Sequence, residues 1–382
     1  MRIGIDGLTL SCQDSGVGVW TRGLVRSLAR WDRENEYVVY HGLSATQLPP
    51  LESPRARYAL VPIPNALRPA RILWEQVLLP RRIRRDGVEV LHCPAYVRPL
   101  TADVPTVLTL HDLFALTHPQ CCKPLNLLHY RLMLPPSIRQ ASVIHCTSDW
   151  TLRMLAGRFP EQAARARVVH PGVDEIFAPG TEGQDAGVVL SQFGLDRPPF
   201  LFVGNAEPKK NLPMLLAAYA ELRRRFGTES KLLMVGGRGW RTRSTWARLR
   251  EPGLGSRVVR AGYVDRARLP AIYRASLALV FPSLWEGFGL PPVEAMACGT
   301  PVICTAGSGL AESAGQAALV VPTGDVAALA EAMHEVERCP ELRLELRQAG
   351  LRHVRQFNWQ DKAGQFLDLY RLAREWGQTP SS

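Results

Sequence analysis

Short apolar runs alternate with longer amphipathic stretches along almost all of the 382 residues. The runs have the length and composition of buried strands, and the stretches between them have the period of helices. This alternation favours parallel sheets covered by helices. Strand candidates in the first half are Arg2–Asp6, Tyr37–Tyr40, Val88–His92, Thr106–Leu110, Ser142–Cys146 and Arg167–His170. Those in the second half are Pro199–Gly204, Lys231–Gly236, Arg257–Ala261, Leu277–Phe281 and Pro301–Thr305.

A less regular stretch, Pro171–Arg197, separates the two halves. It is rich in Gly, Pro and Asp, which is typical of a hinge or linker. We therefore expect two doubly wound domains, over residues 1–175 and 176–357. Ligands of such sheets bind at the carboxyl ends of the strands, so a cleft between the domains is the expected site.

The composition indicates a soluble globular protein, with 46% apolar and 21% charged residues. No uninterrupted apolar run of membrane-spanning length occurs, so we expect no transmembrane helix. The eight cysteines lack metal-ligand spacing and form no C-x-x-C pair. We therefore expect reduced thiols, no metal site and a cytoplasmic location.

The net charge is +11, and most of it lies in the first half of the chain. Residues 1–172 hold 21 Lys and Arg against 13 Asp and Glu. The densest basic group, Arg81–Arg85, follows the apolar stretch Ile72–Leu79. This segment predicts either a surface helix with solvated arginines or a helix resting on anionic lipid headgroups. No basic motif with interleaved aromatic side chains is present, so nucleic acid is not an expected partner.

The segment after the strand candidate Leu277–Phe281 is the most informative chemically. Gly287 and Gly289 allow a close approach of backbone to ligand, and two prolines at 291 and 292 suit the first turn of a helix. A strand end, a glycine loop and a helix start direct amide hydrogens to one point, which favours a phosphate. Glu286 in the loop and Glu294 in the expected first turn would accept hydrogen bonds from ligand hydroxyls. Two solvated glutamates beside an ordinary loop are the alternative.

Residues that suit a phosphate or a sugar follow three other strand candidates. Gly16 and Gly18 precede an apolar helix, Lys209 and Lys210 supply positive charge, and His111 lies directly after a strand. Each has a structural alternative, respectively a plain turn, a solvated lysine pair and a structural histidine. The glycines do not complete a G-x-G-x-x-G pattern, because a threonine stands at the third glycine position.

These elements occur together in one known family. Between residues 282 and 302 stand Pro-Ser, Glu-Gly-Phe-Gly-Leu-Pro, Glu-Ala-Met-Ala and Gly-Thr-Pro-Val, in that order. The string resembles the E-x7-E motif of retaining glycosyltransferases of family 4. Glu207–Asn211 resembles the Glu-Pro-Arg-Lys-Asn pattern of that family, with Lys209 where the family commonly has Arg. The resemblance extends from Gly16 to Trp359, and it is strongest to mannosyltransferase-like bacterial members.

The resemblance implies an α/β protein of the GT-B class, in which two Rossmann-like, doubly wound domains face each other across a cleft. The domain over residues 1–175 would serve the acceptor, and the domain over residues 176–357 would bind the nucleotide sugar. The apolar positions of about residues 358–376 have helical spacing, which predicts an amphipathic helix. The resemblance implies that this helix crosses over and packs back on the first domain.

Roles for individual residues follow from the resemblance alone. His111 would contact the donor sugar near the reacting carbon, and Asp112 would orient it or face the acceptor. Lys210 would stabilise the leaving diphosphate, while Glu286 and Glu294 would bind the sugar and the ribose. The implied catalytic residues are His111, Glu286 and Lys210. The implied donor-binding residues are Gly16, Gly18, Lys209, Lys210, Val264, Glu286, Phe288, Gly289, Leu290 and Glu294.

Family members of this kind transfer a sugar with retention and typically need no metal or other cofactor. The implied substrates are a nucleotide diphosphate sugar, with GDP-mannose favoured, and a glycan or polyprenyl-linked acceptor in the synthesis of a surface polysaccharide. The implied location is the cytoplasm. A peripheral position at the inner face of the membrane is a further expectation.

Three other functions fit two Rossmann-like domains. A hydrolase or epimerase of nucleotide sugars would need a placed water and a general base, and the sequence offers no candidate. A nicotinamide-dependent oxidoreductase is disfavoured by the absent G-x-G-x-x-G pattern. A non-catalytic protein that binds nucleotide sugars is disfavoured by the presence of Glu286, Glu294 and Lys210.

Overall fold

The computed structural model describes residues 1–11, 15–45, 48–63, 68–180, 186–237, 239–240, 243–250 and 254–378. The chain divides into two compact units. The first unit comprises Met1–Gly172 and Phe357–Ser382, and the second comprises Val173–Gln356. Asp14, which precedes the glycines at 16 and 18, and residues 379–382 lie outside the described residues.

The first unit is built on a seven-stranded sheet in which every neighbouring pair is parallel. Its strands are β1 Arg2–Asp6, β2 Glu36–Gly42, β3 Ala56–Val61, β4 Val90–Cys93, β5 Thr106–Leu110, β6 Val143–Cys146 and β7 Ala166–Val168. Their order across the sheet is β3-β2-β1-β4-β5-β6-β7. The edge strand β3 was not predicted from the sequence, because charged and half-exposed residues interrupt its apolar pattern.

The second unit repeats this arrangement in a six-stranded parallel sheet. Its strands are β8 Phe200–Val203, β9 Leu232–Val235, β10 Val258–Gly262, β11 Ala278–Phe281, β12 Val302–Thr305 and β13 Leu319–Val321. The order β10-β9-β8-β11-β12-β13 reverses direction between β8 and β11. In open α/β sheets that switch point is where ligands bind, beyond the carboxyl ends of the two strands.

Helices connect the strands of both units. In the first unit they are α1 Gly16–Trp31, α2 Arg68–Leu73, α3 Leu79–Arg85, α4 Phe114–Thr117, α5 Pro124–Gln140, α6 Asp149–Arg158 and α7 Pro160–Ala163. A π-helical segment, Trp74–Leu78, joins α2 to α3. In the second unit they are α8 Ala186–Gln192, α9 Leu212–Phe226, α10 Arg243–Ala247, α11 Leu269–Arg274, α12 Leu290–Ala297, α13 Leu310–Ala314, α14 Val326–Arg338 and α15 Pro340–His353. None of the helices in the described part of the chain combines the length and the hydropathy that crossing a bilayer requires.

The last helix, α16 Trp359–Gln378, belongs to the first unit although the chain reaches it after the second. Its residues Phe366 and Tyr370 are fully buried in a cluster with Ile3, Ile5 and Leu24. Glycine is required where α1 meets this helix, because a Cβ added at position 23 would lie 2.2 Å from the indole ring of Trp359. A separate cluster, formed by α3, α5 and the other face of the sheet, completes the core.

The interpretation of Pro171–Arg197 as a plain linker is wrong for part of that stretch. Its described residues contain α8, and Phe177, Val189 and Leu195 are buried in the core of the second unit. These apolar side chains are widely spaced among Gly, Pro and Asp, so the local composition masks a packed segment.

Candidate functional site

The switch point of the second unit holds a buried group of charged side chains. Lys209 and Lys210 end a short 3-10 turn after β8, and Glu286 follows the adjacent strand β11. The Lys210 ammonium lies 2.6 Å from one carboxylate oxygen of Glu286, and that of Lys209 lies 3.5 Å from the other. The backbone N–H of Leu284 donates to the carbonyl of Lys209 at 2.7 Å and ties the two loops together. We refer to Lys209, Lys210 and Glu286 as the lysine–glutamate cluster.

The electrostatics of this cluster favour an added negative charge. Burial raises the pKa of Glu286, but the two lysines lower it by more than burial raises it. The pKa therefore falls to about 2. Burial lowers the pKa of Lys210, and Glu286 partly opposes that effect. Two ammonium groups face the carboxylate of Glu286 in a region with little water, and the charge of Glu207 also acts on Lys210. A phosphate is the kind of group that such a cluster attracts.

The loop that holds Glu286 is fixed by a second loop, which follows β12. The N–H of Glu286 donates to the hydroxyl of Ser308 at 3.1 Å, and its carbonyl accepts from the N–H of Gly309 at 2.9 Å. A Cβ added at Gly309 would lie 2.1 Å from the carbonyl oxygen of Gly287, so only glycine permits this approach. Glu286 is therefore held through its side chain by the two lysines and through its backbone by the loop after β12.

Glu294 lies in α12 and is also buried. It is the fifth residue of that helix, so the expectation that it lies in the first turn is wrong. Its carboxylate lies 2.7 Å from the guanidinium of Arg266, and it accepts a hydrogen bond from the hydroxyl of Tyr273 at 3.2 Å. The guanidinium also lies 4.7 Å from the ring centroid of Phe177. The sequence analysis missed Arg266, and the only signal for it was its place two residues after Val264.

The start of α12 is a glycine followed by a proline-rich first turn, as predicted. It offers fewer amide hydrogens than the start of an ordinary helix. Gly289 precedes the helix with a φ of 97°, a left-handed conformation that favours glycine. Leu290 begins the helix, and two of the next three residues are prolines without an amide hydrogen. The N-terminus of α12 therefore offers a phosphate fewer donors than an ordinary helix would. Phe288, just before it, is buried.

Val264 lies in the loop after β10, and its side chain packs against the core of the second unit. The side chain of Asp265 accepts from the N–H of Ala267 at 2.8 Å and starts the short turn that carries Arg266. The loop is therefore well ordered by its own contacts. A contact between its backbone and a nucleotide base stays a prediction.

In the first unit, Gly16 and Gly18 stand at the start of the predicted helix. Both residues lie in the first turn of α1. Ser15 caps this helix, and its hydroxyl accepts the N–H of Gly18 at 3.0 Å. They lie inside the first turn and not ahead of the helix, because Ser15 is the cap; a serine followed by glycines suits a turn as well as a cap.

His111 follows β5 and is oriented by its surroundings. Its Nε2 lies 2.8 Å from the carbonyl oxygen of Pro94, which can only accept, so Nε2 carries the proton. The imidazole stands edge-on to the rings of Trp20 and Tyr96, with centroids 5.0 and 5.5 Å away. Asp112 accepts from the Tyr96 hydroxyl at 3.1 Å.

Beneath His111 runs a buried chain of neutral hydrogen bonds that the sequence analysis did not predict. His145 donates from Nε2 to the carbonyl of Val169 at 2.8 Å, so its Nδ1 accepts from the hydroxyl of Thr109 at 3.0 Å. Thr109 in turn accepts from Nε2 of His92 at 2.8 Å, and Nδ1 of His92 accepts from the hydroxyl of Tyr370 at 2.8 Å. We refer to Tyr370, His92, Thr109 and His145 as the histidine relay. Burial lowers the pKa of His145 to about 3 and that of His92 well below its usual range, so both rings are neutral near pH 7.

Two family models together cover most of the chain. Residues 15–177 match Glycosyltransferase Family 4, and residues 191–353 match Glycosyl transferases group 1. The chain belongs to the family 4 glycosyltransferases. Its two parallel-sheet units have the GT-B fold, and it is an enzyme that transfers a glycosyl group.

Individual relatives agree with this assignment. The chain is 29% identical over 369 residues to O-antigen chain mannosyltransferase B of Escherichia coli, across 94% of this chain and 96% of that protein. Sucrose-phosphate synthase from Thermosynechococcus elongatus superposes with a TM-score of 0.77 at 24% identity, covering 97% and 98% of the two chains. HepE of Anabaena, solved in complex with UDP and glucose, gives a TM-score of 0.71 at 17% identity, covering 96% and 98%.

Proposed function

We propose that this glycosyltransferase moves a hexose, with mannose favoured, from a nucleotide diphosphate sugar to a glycan or polyprenyl-linked acceptor during surface polysaccharide synthesis. The observation that carries the proposal is the lysine–glutamate cluster, because it places two lysine ammonium groups at the switch point of the second unit. The similarity to an O-antigen chain mannosyltransferase over nearly the full length supports mannose, and hence GDP-mannose as the first donor to test.

In the proposed reaction the bond between the sugar C1 and the diphosphate oxygen breaks, and a bond from C1 to the acceptor oxygen forms. Lys209 and Lys210 neutralise the charge that develops on the leaving diphosphate. The acceptor hydroxyl loses its proton to the leaving phosphate oxygen on the same face, so the configuration at C1 is retained. The resemblance to family 4 implies a reaction without a metal ion, and we expect EDTA to leave the rate unchanged.

The two glutamates would orient the donor. Glu286 accepts hydrogen bonds from the sugar hydroxyls and Glu294 from the ribose, while the backbone around Phe288, Gly289 and Leu290 approaches the phosphates. Val264 would line the base by its backbone. In the first unit, His111 would contact the sugar near C1. Gly16 and Gly18 would approach the donor diphosphate and the acceptor at the start of α1.

Donor identity is tested by incubating the full chain with GDP-, UDP-, ADP- and TDP-sugars, with and without a lipid-linked glycan acceptor. We expect release of GDP from GDP-mannose only when the acceptor is present. Release without an acceptor would instead indicate a hydrolase, and oxidation of a reduced nicotinamide would indicate an oxidoreductase. The anomeric configuration of the product, read by NMR, tests retention.

Two variants test the site. Glu286→Gln and Glu294→Ala are expected to lower kcat/KM by at least about a hundredfold, since oriented hydrogen bonds of this kind are worth several kcal/mol in a transition state. Glu345→Gln, on the exposed surface of α15, is the matched control and should retain full activity. Unchanged turnover in the Glu294 variant would remove the proposed ribose contact.

We further propose that the protein acts in the cytoplasm and, because the favoured acceptor is lipid-linked, at the inner face of the membrane. The positive charge of the first unit suits an anionic lipid surface.

A further inference from the structure

Six large apolar side chains of the first unit are exposed on two helical segments. Leu125, Leu128 and Leu132 of α5 are 75%, 60% and 65% exposed. Leu73, Val77 and Leu78, at the end of α2 and in the π-helical segment, are 55%, 40% and 40% exposed. We refer to these six residues as the leucine face.

The three α5 leucines lie at positions i, i+3 and i+7, so they share one side of that helix. The opposite side is already used, because Leu134 and Ile138 are fully buried in the core. The helix is therefore apolar on two sides, and only one of them is required for folding. Moving an exposed leucine out of water stabilises it by about 1.5–3 kcal/mol, so the second side favours an apolar partner.

One loop connects the two segments of the leucine face. The side chain of Gln76, in the π-helical segment, donates to the carbonyl of Arg98 at 3.0 Å. The N–H of Arg98 donates to the hydroxyl of Ser137 in α5 at 3.2 Å. Inner residues of both segments, Trp74 and Leu134, belong to the same core cluster. The loop at Arg98 therefore links the two segments that carry the six exposed side chains.

The charge around the leucine face has a single sign over a long stretch of chain. No Asp or Glu occurs between Asp112 and Asp149, and this stretch contains Lys123, Arg131 and Arg139. On the other segment, Arg81 and Arg85 are exposed. Apolar side chains bordered by basic ones are typical of segments that lie in the interface of an anionic bilayer.

We propose that the leucine face is the surface by which this protein rests on an anionic phospholipid bilayer. The six apolar side chains enter the headgroup region, and Lys123, Arg131 and the arginines after the π-helical segment lie near the lipid phosphates. The inference deepens the proposed function, in which a lipid-linked acceptor has to be reached. It moves the centre of the contact from the Arg81–Arg85 group to α5.

The test is co-sedimentation of the full chain with phosphatidylcholine vesicles that contain about 30% phosphatidylglycerol, at low salt and at about 0.5 M NaCl. The chain with Leu125→Ser, Leu128→Ser and Leu132→Ser is expected to bind at least about tenfold more weakly, because three apolar side chains leave the interface. The matched control carries Leu43→Ser, Val188→Ser and Leu344→Ser, three large apolar residues that are exposed elsewhere. The control is expected to bind like the unaltered chain.

Binding of the leucine variant at the strength of the unaltered chain would overturn the proposal, and so would failure of the unaltered chain to bind anionic vesicles. Light scattering without lipid tests the other occupant, a second copy of the chain. A dimer that the leucine variant converts to a monomer would also overturn the proposal. Transfer to a water-soluble acceptor analogue should be equal in the unaltered chain and the leucine variant. Loss of that transfer in both proteins would count against the proposed function and not against the surface.

Discussion

The two units share a strand order, but the lysine–glutamate cluster of the second is charged whereas the histidine relay of the first is neutral. In the second unit, Lys210 and Glu286 are charged and compensate each other over 2.6 Å. In the first unit, His92, Thr109 and His145 are neutral and are joined by directed hydrogen bonds. A buried charge depends on its partner, whereas a neutral relay depends on every donor finding an acceptor. This difference agrees with the proposed division of labour, in which the second unit binds the diphosphate.

The largest stability effect is expected where the charge balance is broken. Lys210→Met leaves Glu286 buried beside Lys209 alone, and we expect the second unit to lose about 3 kcal/mol, since removal of one partner leaves a buried charge poorly compensated. The double variant Lys210→Met with Glu286→Gln should recover part of this loss. Hydrogen exchange of the strands β8 and β11, with Lys231→Met as control, measures both effects. An equal loss in the single and double variants would show that the pair is not coupled.

Acid is expected to loosen the first unit before the second. The folded-state pKa of His145 is about 3 against an ordinary value of 6.5, so the unfolded chain binds more protons than the folded chain between these values. The relay is therefore most stable above pH 6.5 and loses on the order of 2 kcal/mol by pH 5. The pKa of Glu286 is about 2 against 4.5, so its contribution is lost only as the pH falls from 4.5 towards 2.

Hydrogen exchange at pH 7, 6 and 5, corrected for the intrinsic rates, follows β4–β6 and β8–β12 separately. Earlier loss of protection in β4–β6 is expected. His145→Gln should reduce the pH dependence of the first unit between pH 6.5 and 5, and His92 accounts for the part that remains. Simultaneous loss in both units would contradict the difference between them.

A smaller effect is expected when the relay is interrupted without a change of charge. Thr109→Val keeps the shape of the side chain but leaves Nε2 of His92 and Nδ1 of His145 without their partner, which should destabilise the first unit by about 1–2 kcal/mol. Urea unfolding measures the loss. The affinity for the nucleotide diphosphate should stay unchanged, and a tenfold fall in that affinity would mean that the relay also serves the donor.

The smallest effect is expected at Arg266, which holds Glu294 in place. Arg266→Met should weaken binding of the nucleotide diphosphate about tenfold, because Glu294 loses its orientation and its countercharge. The loss should be specific to the ribose hydroxyl. Calorimetry with the nucleotide and with its 2′-deoxy form measures the preference for the 2′-hydroxyl. This preference should fall in Arg266→Met and remain in Arg266→Lys. Arg268→Met, an exposed neighbour, is the control. Equal weakening of both nucleotides would indicate a structural role for Arg266 only.

Most of the fold could be predicted from the sequence, since its buried strands are nearly continuous apolar runs. Thr106–Leu110 has the predicted bounds. The edge strands β3 and β13 could not be predicted, because one is interrupted by polar residues and the other has three residues.

The site was less accessible to sequence reasoning. Lys210 and Glu286 could be singled out because each follows a strand, but their ion pair depends on β8 and β11 being neighbours. Arg266 and Glu294 are far apart in sequence, and nothing local to either residue predicts their contact. His92 and His145 stand inside apolar strands, where a single histidine carries no information about its partner.

The hydrogen bond between His92 and Tyr370 joins residues 278 positions apart, and it has a consequence for synthesis on the ribosome. When the first sheet has emerged, the helix that covers Ile3, Ile5 and Leu24 has not yet been translated. The second unit, which is continuous in sequence, can be completed earlier. Nascent first units therefore keep an uncovered apolar flank until the last twenty or so residues leave the exit tunnel, and this is the interval in which a chaperone would be needed.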